Sequence, residues 1–292
     1  MAALRWSVVV PARAPCPDLE RLFSALARQT YTATDWELIV IDDGSSEPIR
    51  LPSGEAFPVK LIRQSASGPG LARNSGVQEA KGEMVAFTAA DCQPGPGWLA
   101  SLEMASRRWP AAALGGTVEC GLPASVTAMT SHLVVKHLER QLNRDPENAQ
   151  FFTPNNLAIP VAQFRALGGF KDGYEIGTGE DRDLCARWRS AGYRLVAVPQ
   201  AVVVHTHPLT LMGLLRQQYR YGRGSGIHRK AQRHLGAHVR FEPPGFYLGS
   251  FFAPWREAPE CRAPWVVAAL MGVSQLVSAA GVIRESVRSG GQ

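Results

Sequence analysis

Apolar and polar positions alternate in two registers along the first 120 or so residues. The run WSVVVP (6–11) is short and continuous, as a buried strand is. From Asp18 to Arg28 the apolar residues Leu19, Leu22, Phe23 and Leu26 recur at helical spacing, and Asp18 stands where an N-cap would. A second apolar run, ELIVI (37–41), and a third, VKLI (59–62), predict further strands. A helix over about 70–80 and a strand at MVAF (84–87) continue the alternation. Strands that alternate with helices predict an α/β layer around a parallel sheet.

The texture changes after about residue 120. Val126, Met129, Leu133, Val134 and Leu138 lie on one face of a predicted helix, and NNLAIP (155–160) reads as a strand. The stretch RALGGFKDGYEIGTGEDRDL (165–184) is rich in glycine and charge, hence a loop or a site rim. RLVAV (194–198) and AVVVH (201–205) are strand-like, a basic helix is predicted from Leu209, and an apolar stretch ends the sequence. There is no internal repeat and no low-complexity tract.

In an open parallel sheet, ligands bind beyond the carboxyl ends of the strands. The polar residues just past the predicted strands are therefore the candidates: Asp42-Asp43-Gly44-Ser45 after ELIVI, Asp91 after MVAF, and His205 and His207 after AVVV. Carboxylates and imidazoles of this kind could hold a divalent cation and a nucleotide. No GxGxxG follows the first strand and no GxxxxGK[ST] is present, which argues against a dinucleotide fold and a P-loop.

Seven segments, in order, carry a resemblance: VVVP, ELIVIDDGS, GLARNSG, GEMVAFTAADC, NNLAI, ALGGF and GEDRDLCARWRSAGYRL. Over about residues 6–207 the chain resembles a family 2 glycosyltransferase. The resemblance implies a single GT-A-type domain: a Rossmann-like, mostly parallel sheet flanked by helices, followed by a C-terminal helical extension. The divisions expected are 1–116 for the nucleotide-sugar half, 117–208 for the acceptor half and 209–292 for the extension. It also implies an inverting displacement at the anomeric carbon of a UDP- or GDP-sugar donor, with Mn²⁺ or Mg²⁺ as cofactor.

By position, the resemblance assigns Pro11, Asp42, Asp43, Arg73, Ala90 and Asp91 to the donor. A carboxylate at 42–43 can accept from a base N–H and from ribose hydroxyls, though Asp there is also ordinary turn chemistry. Arg73, near a helix N-terminus, suits an anion. The family's Asp-x-Asp motif is half kept: Ala89 stands at its first acidic position and Asp91 at the second, the usual metal ligand. His205 is the further metal ligand expected, with His207 as the alternative. In GEDRDL, Asp181 is expected as the general base and Glu180 as its neighbour toward the loop or donor sugar; acids in a first helical turn also suit the helix dipole. Asn155, with Arg220 and Tyr221 of QQYRY (217–221), is expected near the acceptor or diphosphate, Tyr221 replacing the Trp of the family's Gln-x-x-Arg-Trp motif.

Composition bounds the rest. A net charge of +6 suits anionic ligands or a membrane face, and the dispersed arginines without a recognition signature argue against nucleic acid. Five scattered cysteines without a CxxC pair argue against structural zinc or a disulfide framework, and predict a reducing, cytoplasmic setting. From Ala263 to Ile283 there is no charged residue, a length of 21 that reaches across a hydrocarbon core. Trp255, Trp265 and Arg262 at one end, with Arg284 and Arg288 at the other, suit interfaces, so the inner face of a membrane is the expected location if this segment spans it or lies on it, a buried helix being the alternative. The acceptor stays open among a lipid, a glycan, a natural product and a peptide. Two other readings exist. A sugar nucleotidyltransferase would carry a glycine-rich, lysine-bearing loop after the first strand, and PARAPCPD has none. A catalytically impaired nucleotide-sugar-binding partner rests on Ala89 alone, against the retention of Asp91, Asp181 and His205.

Overall fold

The computed structural model describes residues 4–52, 56–174, 178–234 and 243–289. In chain order its elements are β1 (Trp6–Ala12), α1 (Leu19–Leu26), β2 (Trp36–Asp43), β3 (Val59–Gln64), α2 (Pro69–Glu79), β4 (Met84–Phe87), β5 (Cys92–Pro94), α3 (Trp98–Arg108), β6 (Ala113–Cys120), α4 (Val126–Leu142), β7 (Leu157–Pro160), α5 (Val161–Ala166), α6 (Glu180–Ser190), β8 (Leu195–His205), α7 (Leu211–His234), α8 (Pro244–Arg256) and α9 (Pro264–Ser289).

Among the described residues the strands form one eight-stranded sheet in the order β3-β2-β1-β4-β7-β6-β8-β5. β1 runs parallel to β2 and to β4, and β3 parallel to β2, which is the half that the strand–helix alternation predicts. Across β4 the pairing turns antiparallel, with β7 on β4, β6 on β7 and β5 on β8. The sheet is therefore mixed. The two apolar runs at 194–205 are one strand, β8, carried through Pro199, whose carbonyl accepts from the Thr117 hydroxyl.

β1 and β2 are buried along nearly their whole length, as strands covered on both faces must be. A buried polar stitch fixes their start: Ser7 donates to Glu37, which also takes the Lys81 N–H, while the Gly82 N–H goes to Ser7. Asp18 sits at the N-cap of α1 without capping it. Its carboxylate is turned instead to Arg21, at 2.9 Å, and the backbone there is helical rather than extended, so the oxygen does not reach the first-turn N–H groups.

The chain divides into two compact units: residues 1–119, 143–172 and 183–206, and residues 120–142, 173–182 and 207–292. The sheet runs through the first, to which residues 1–116 and part of 117–208 contribute. The second is helical and gathers α4, α7, α8 and α9. Its core holds Met129 and Leu133 of α4, Ala253 of α8, and Val267 and Met271 of α9. α7 and α9 meet backbone to backbone, since a Cβ on Gly222 would lie 1.9 Å from the Ser278 carbonyl.

Candidate active site

The carboxyl ends of β1, β2 and β4 meet at one edge of the sheet. Asp42, the last residue but one of β2, is 1% exposed; it accepts from the Ser45 N–H at 3.0 Å and the Ile49 N–H at 3.3 Å. Burial pushes its carboxyl up, but the Ser45 and Ile49 hydrogen bonds and the Arg63 charge outweigh this and hold it below the ordinary carboxylate range. Asp43 takes the N–H groups of Ser67 and Gly68, both at 2.8 Å, and the amide of Gln64. The pair thus organises two loops: 44–49, and the entry to α2. Ser45 extends the first by accepting from the Ala14 N–H beyond β1, where Pro11 lies half-buried.

Arg73 and its neighbour Asn74 face a turn from another part of the chain. The Arg73 guanidinium, 5% exposed as a residue, lies 5.8 Å from the Phe170 ring centroid. Asn74 grips the backbone of the same Phe170, donating to its carbonyl at 2.8 Å and accepting from its N–H at 2.9 Å. The ALGGF turn is built for this grip. Gly169 has φ +62°, and a Cβ there would stand 2.4 Å from the Asn74 oxygen. Sequence reading missed Asn74. Its signal was present, an amide beside the arginine inside a short helix, but its partner lies 96 residues away.

Asp91 lies within the turn closed by the bond from the Cys92 N–H to the Ala89 carbonyl, with Ala89 and Ala90 half-buried beside it. The antiparallel register sets Cys92 opposite His205, and the Asp91 carbonyl accepts from the Thr206 N–H. That pairing brings His205 Nε2 to 3.1 Å from Asp91 Oδ2, both side chains about a quarter exposed. Ligands of an octahedral ion at about 2.1 Å lie about 3.0 Å apart, so this oxygen and nitrogen fit two positions on one divalent cation. The donor set, one carboxylate and one imidazole, suits Mn²⁺. His207, two residues on, begins the last segment of the second unit. Burial pushes the neighbouring Cys92 thiol well up, and the Asp91 charge adds to that, so Cys92 is a packing residue rather than a nucleophile.

Asn155 is half-buried, whereas Asn156 is buried and wholly spent on structure. Asn156 accepts from the Trp98 indole at 2.8 Å and donates to the carbonyls of Thr117 and Ala201. The acids of GEDRDL divide. Asp183 pairs with Arg187 at 2.7 Å, and Arg187 also donates to the carbonyls of Leu167 and Gly169, so this acid anchors the glycine turn. Glu180 opens α6 and is 6% exposed; Asp181 follows it half-buried, with Oδ1 accepting from the Arg182 N–H. On α7, Arg220 is exposed and Tyr221 half-buried, while Gln217 accepts from the Ser131 hydroxyl.

Comparison with known proteins identifies the family. The family model for glycosyl transferase family 2 matches residues 7–167, and that for glycosyl transferase family group 2 matches residues 123–281. The glycosyltransferase AglE of Haloferax volcanii is 25% identical over 224 residues, covering 75% of this chain and 72% of AglE. The pre-mycofactocin glycosyltransferase of Mycobacterium tuberculosis is 30% identical over 226 residues, 74% of this chain but 46% of that protein, so the chain spans about half of its length. Among solved structures, the mannosyltransferase PcManGT of Pyrobaculum calidifontis, in complex with GDP-Man and Mn²⁺, has TM-score 0.63 at 19% identity, over 97% of this chain and 88% of its own. Residues 1–349 of TarS from S. aureus, in complex with UDP-GlcNAc, have TM-score 0.57 at 15% identity, over 98% and 92%. At those identities the structural likeness is one of fold, the GT-A-type sheet with its flanking helices. The family matches span most of the chain, and the chain is a glycosyltransferase of glycosyl transferase family 2.

Proposed function

We propose that the chain transfers a sugar, with inversion, from a UDP- or GDP-sugar to an acceptor hydroxyl, in a reaction that depends on Mn²⁺ or Mg²⁺. The observation that carries this is the Asp91–His205 pair, a carboxylate and an imidazole 3.1 Å apart beyond the end of β4. Both solved neighbours described above were captured with a nucleotide-sugar, one of them with Mn²⁺, which supports the donor class. A divalent cation held by Asp91 and His205 would offset the negative charge on the donor diphosphate.

The chain's own residues carry the rest. Asp42, held anionic, and Asp43, both fixed by loop N–H groups, accept from the base or ribose. Pro11 and Ala90 give that surface its apolar wall. Arg73, oriented by Phe170, offers its charge to the diphosphate. Asp181 takes the proton of the acceptor hydroxyl as its oxygen attacks the anomeric carbon from the face opposite the diphosphate; the carbon–oxygen bond to the diphosphate breaks and the nucleoside diphosphate leaves. Glu180 orients its loop or touches the donor sugar hydroxyls, and Asn155, Arg220 and Tyr221 serve the acceptor or the departing diphosphate. The acceptor is a lipid, glycan, natural product or peptide, and the enzyme works in the cytoplasm at the inner face of a membrane, to which residues 263–283 attach it.

The test is release of nucleoside diphosphate from a panel of UDP- and GDP-sugars with Mn²⁺. Slow hydrolysis of one donor without acceptor, abolished by a chelator, is expected. Donor binding without any turnover across the panel would favour the impaired binding partner, and a product of retained anomeric configuration would refute the single displacement.

A further inference from the structure

Helix α9 has two apolar faces where a surface helix has one. Its inner face, Val267, Ala268, Met271 and Ser274, is at most 1% exposed. Its outer face carries Trp265 at 71% exposure and Leu276 at 74%, with Val273, Ile283 and Val287 also exposed. The same surface continues onto α8, where Tyr247, Leu248, Phe251, Phe252 and Trp255 are all exposed. The rings make a chain of contacts: Phe251 to Phe252 at 5.3 Å, Phe251 to Trp255 at 6.1 Å, and Trp255 to Trp265 at 4.7 Å. Exposed apolar surface of this extent marks an interaction face.

We propose that α8 and α9 together form a docking face that lies in the plane of an anionic lipid bilayer and does not cross it. This rests on the membrane attachment proposed above and specifies its mode. Three observations select the lipid surface. The exposed residues are of the interfacial kind, Trp, Tyr and Phe beside Leu, Ile and Val. Arginines flank them: Arg256 with its guanidinium 5.7 Å from the Phe252 ring centroid, the exposed Arg262 before α9, and the exposed Arg284 near its end. Among the described acids on and between α8 and α9, Glu257 is buried and Glu285 is paired with Arg223, which leaves Glu260 exposed against those arginines.

A span is excluded by what α9 packs against. The segment Pro264–Val287 is long and apolar enough to cross, its most apolar 18-residue window having a mean hydropathy of 2.0. Yet a Cβ on Gly281 would lie 2.4 Å from the Tyr219 carbonyl, and one on Gly222 would lie 1.9 Å from the Ser278 carbonyl, so the backbones of α7 and α9 are in contact. α7 carries Arg216, Arg220, Arg223, Arg229 and Lys230. Crossing with this partner would carry those cations into hydrocarbon; leaving it would expose the glycine contacts and the inner face. With α9 flat, its outer face enters the lipid and α7 stays in water.

The experiment uses the full chain with vesicles of phosphatidylcholine, alone or with phosphatidylglycerol. Expected are co-sedimentation with the anionic vesicles, release by alkaline carbonate, and tryptophan quenching by lipids brominated near the headgroup in preference to those brominated near the bilayer centre. Phe251→Ser with Phe252→Ser should lower the partition coefficient at least tenfold with an unchanged melting temperature, and Arg256→Glu should remove the preference for anionic lipid. A chain that binds neither vesicle overturns membrane attachment itself. Binding that resists carbonate and is quenched from the bilayer centre leaves attachment standing and overturns the in-plane mode, as does binding indifferent to both serine substitutions. Absence of vesicle binding together with a dimer that the same substitutions dissociate would assign the face to a second copy of the chain and overturn the proposal.

Discussion

Asp91→Asn separates a metal ligand from a structural aspartate, because the structure sets the two expected effects far apart. The Asp91 and His205 side chains are 29% and 25% exposed, so their contact is a surface-grade pair worth ~0–1 kcal/mol. Asn keeps the shape and can still hydrogen-bond the imidazole. The backbone bond from the Thr206 N–H to the Asp91 carbonyl and the pairing of Cys92 with His205 do not depend on the side chain. At about 2–4 °C per kcal/mol for a protein of this size, the melting temperature should fall by no more than about 4 °C.

Catalysis should respond differently. Substitutions one shell removed from a metal cost roughly 10–100-fold in affinity, and loss of a direct, charged ligand costs at least as much. Nucleoside diphosphate release at a fixed, subsaturating Mn²⁺ concentration should therefore drop by about 100-fold or more, and excess Mn²⁺ should restore part of it. His205→Gln should move the same curve in the same direction by less, because a neutral ligand is lost. The assay is product release titrated with Mn²⁺, run beside a thermal melt on the same preparations. A near-normal Mn²⁺ curve for Asp91→Asn would refute the metal assignment. A large drop in melting temperature with the curve unmoved would make Asp91 a structural residue.

Three other substitutions test other parts of the site and its support. Asp181→Asn should lower kcat by roughly 10²–10⁴-fold with donor affinity nearly unchanged in calorimetry, and lost donor binding with normal turnover at saturation would move Asp181 to the donor. Asn74→Ala removes two hydrogen bonds to Phe170 and should cost ~1–3 kcal/mol in denaturant unfolding while raising the donor KM; an unchanged KM would show that Arg73 does not depend on this turn. Burial raises the Glu257 carboxyl, but His137 at 3.0 Å and Arg140 at 3.1 Å more than offset this and hold it below its ordinary value. A carboxyl depressed in the fold contributes stability that is full above its unfolded pKa, about 4.3, and is lost as pH falls through the lower folded one. The helical unit should thus loosen in acid, and Glu257→Gln should flatten that part of the melting profile; an identical profile would sink the claim.

What the sequence made legible was chemistry that local pattern determines. The parallel half of the sheet follows from apolar runs set between amphipathic stretches, and β1, β2, β3 and β4 stand where the runs are. β6 escaped that logic. Its Gly115-Gly116 pair reads as a break, yet the fold demands glycine there: a Cβ at 115 would meet the Phe152 ring at 2.0 Å, and one at 116 the Ala201 carbonyl at 2.2 Å. Those partners come from distant segments, so no window around residue 115 contains the reason for the glycines. The aromatic face of α8 escaped for the same cause, because only packing on α4 and α9 decides which of its sides is left outward. The contact between Asp91 and His205 needs the register of β5 on β8, which the sequence around either residue does not contain.

Asp42 and Asp43 carry the distinction furthest. From sequence, an acid there reads either as turn chemistry or as a ligand for the donor, as if one excluded the other. In the structure their oxygens are taken by the N–H groups of Ser45, Ile49, Ser67 and Gly68. A carboxylate oxygen has two lone pairs: Asp43 Oδ1 fills its own with the Ser67 N–H and the Gln64 amide, whereas Asp43 Oδ2 takes one N–H, from Gly68, and is not exhausted by it. The same bonds that close the loops fix the carboxylates in place, and those on Asp42 help keep it anionic, so their remaining capacity would be pre-organised at no further entropic cost for the base or ribose proposed to bind there. Turn and site are then one arrangement: removing either carboxylate should disorder its loop and weaken the donor together, an effect that no substitution confined to the binding surface would produce.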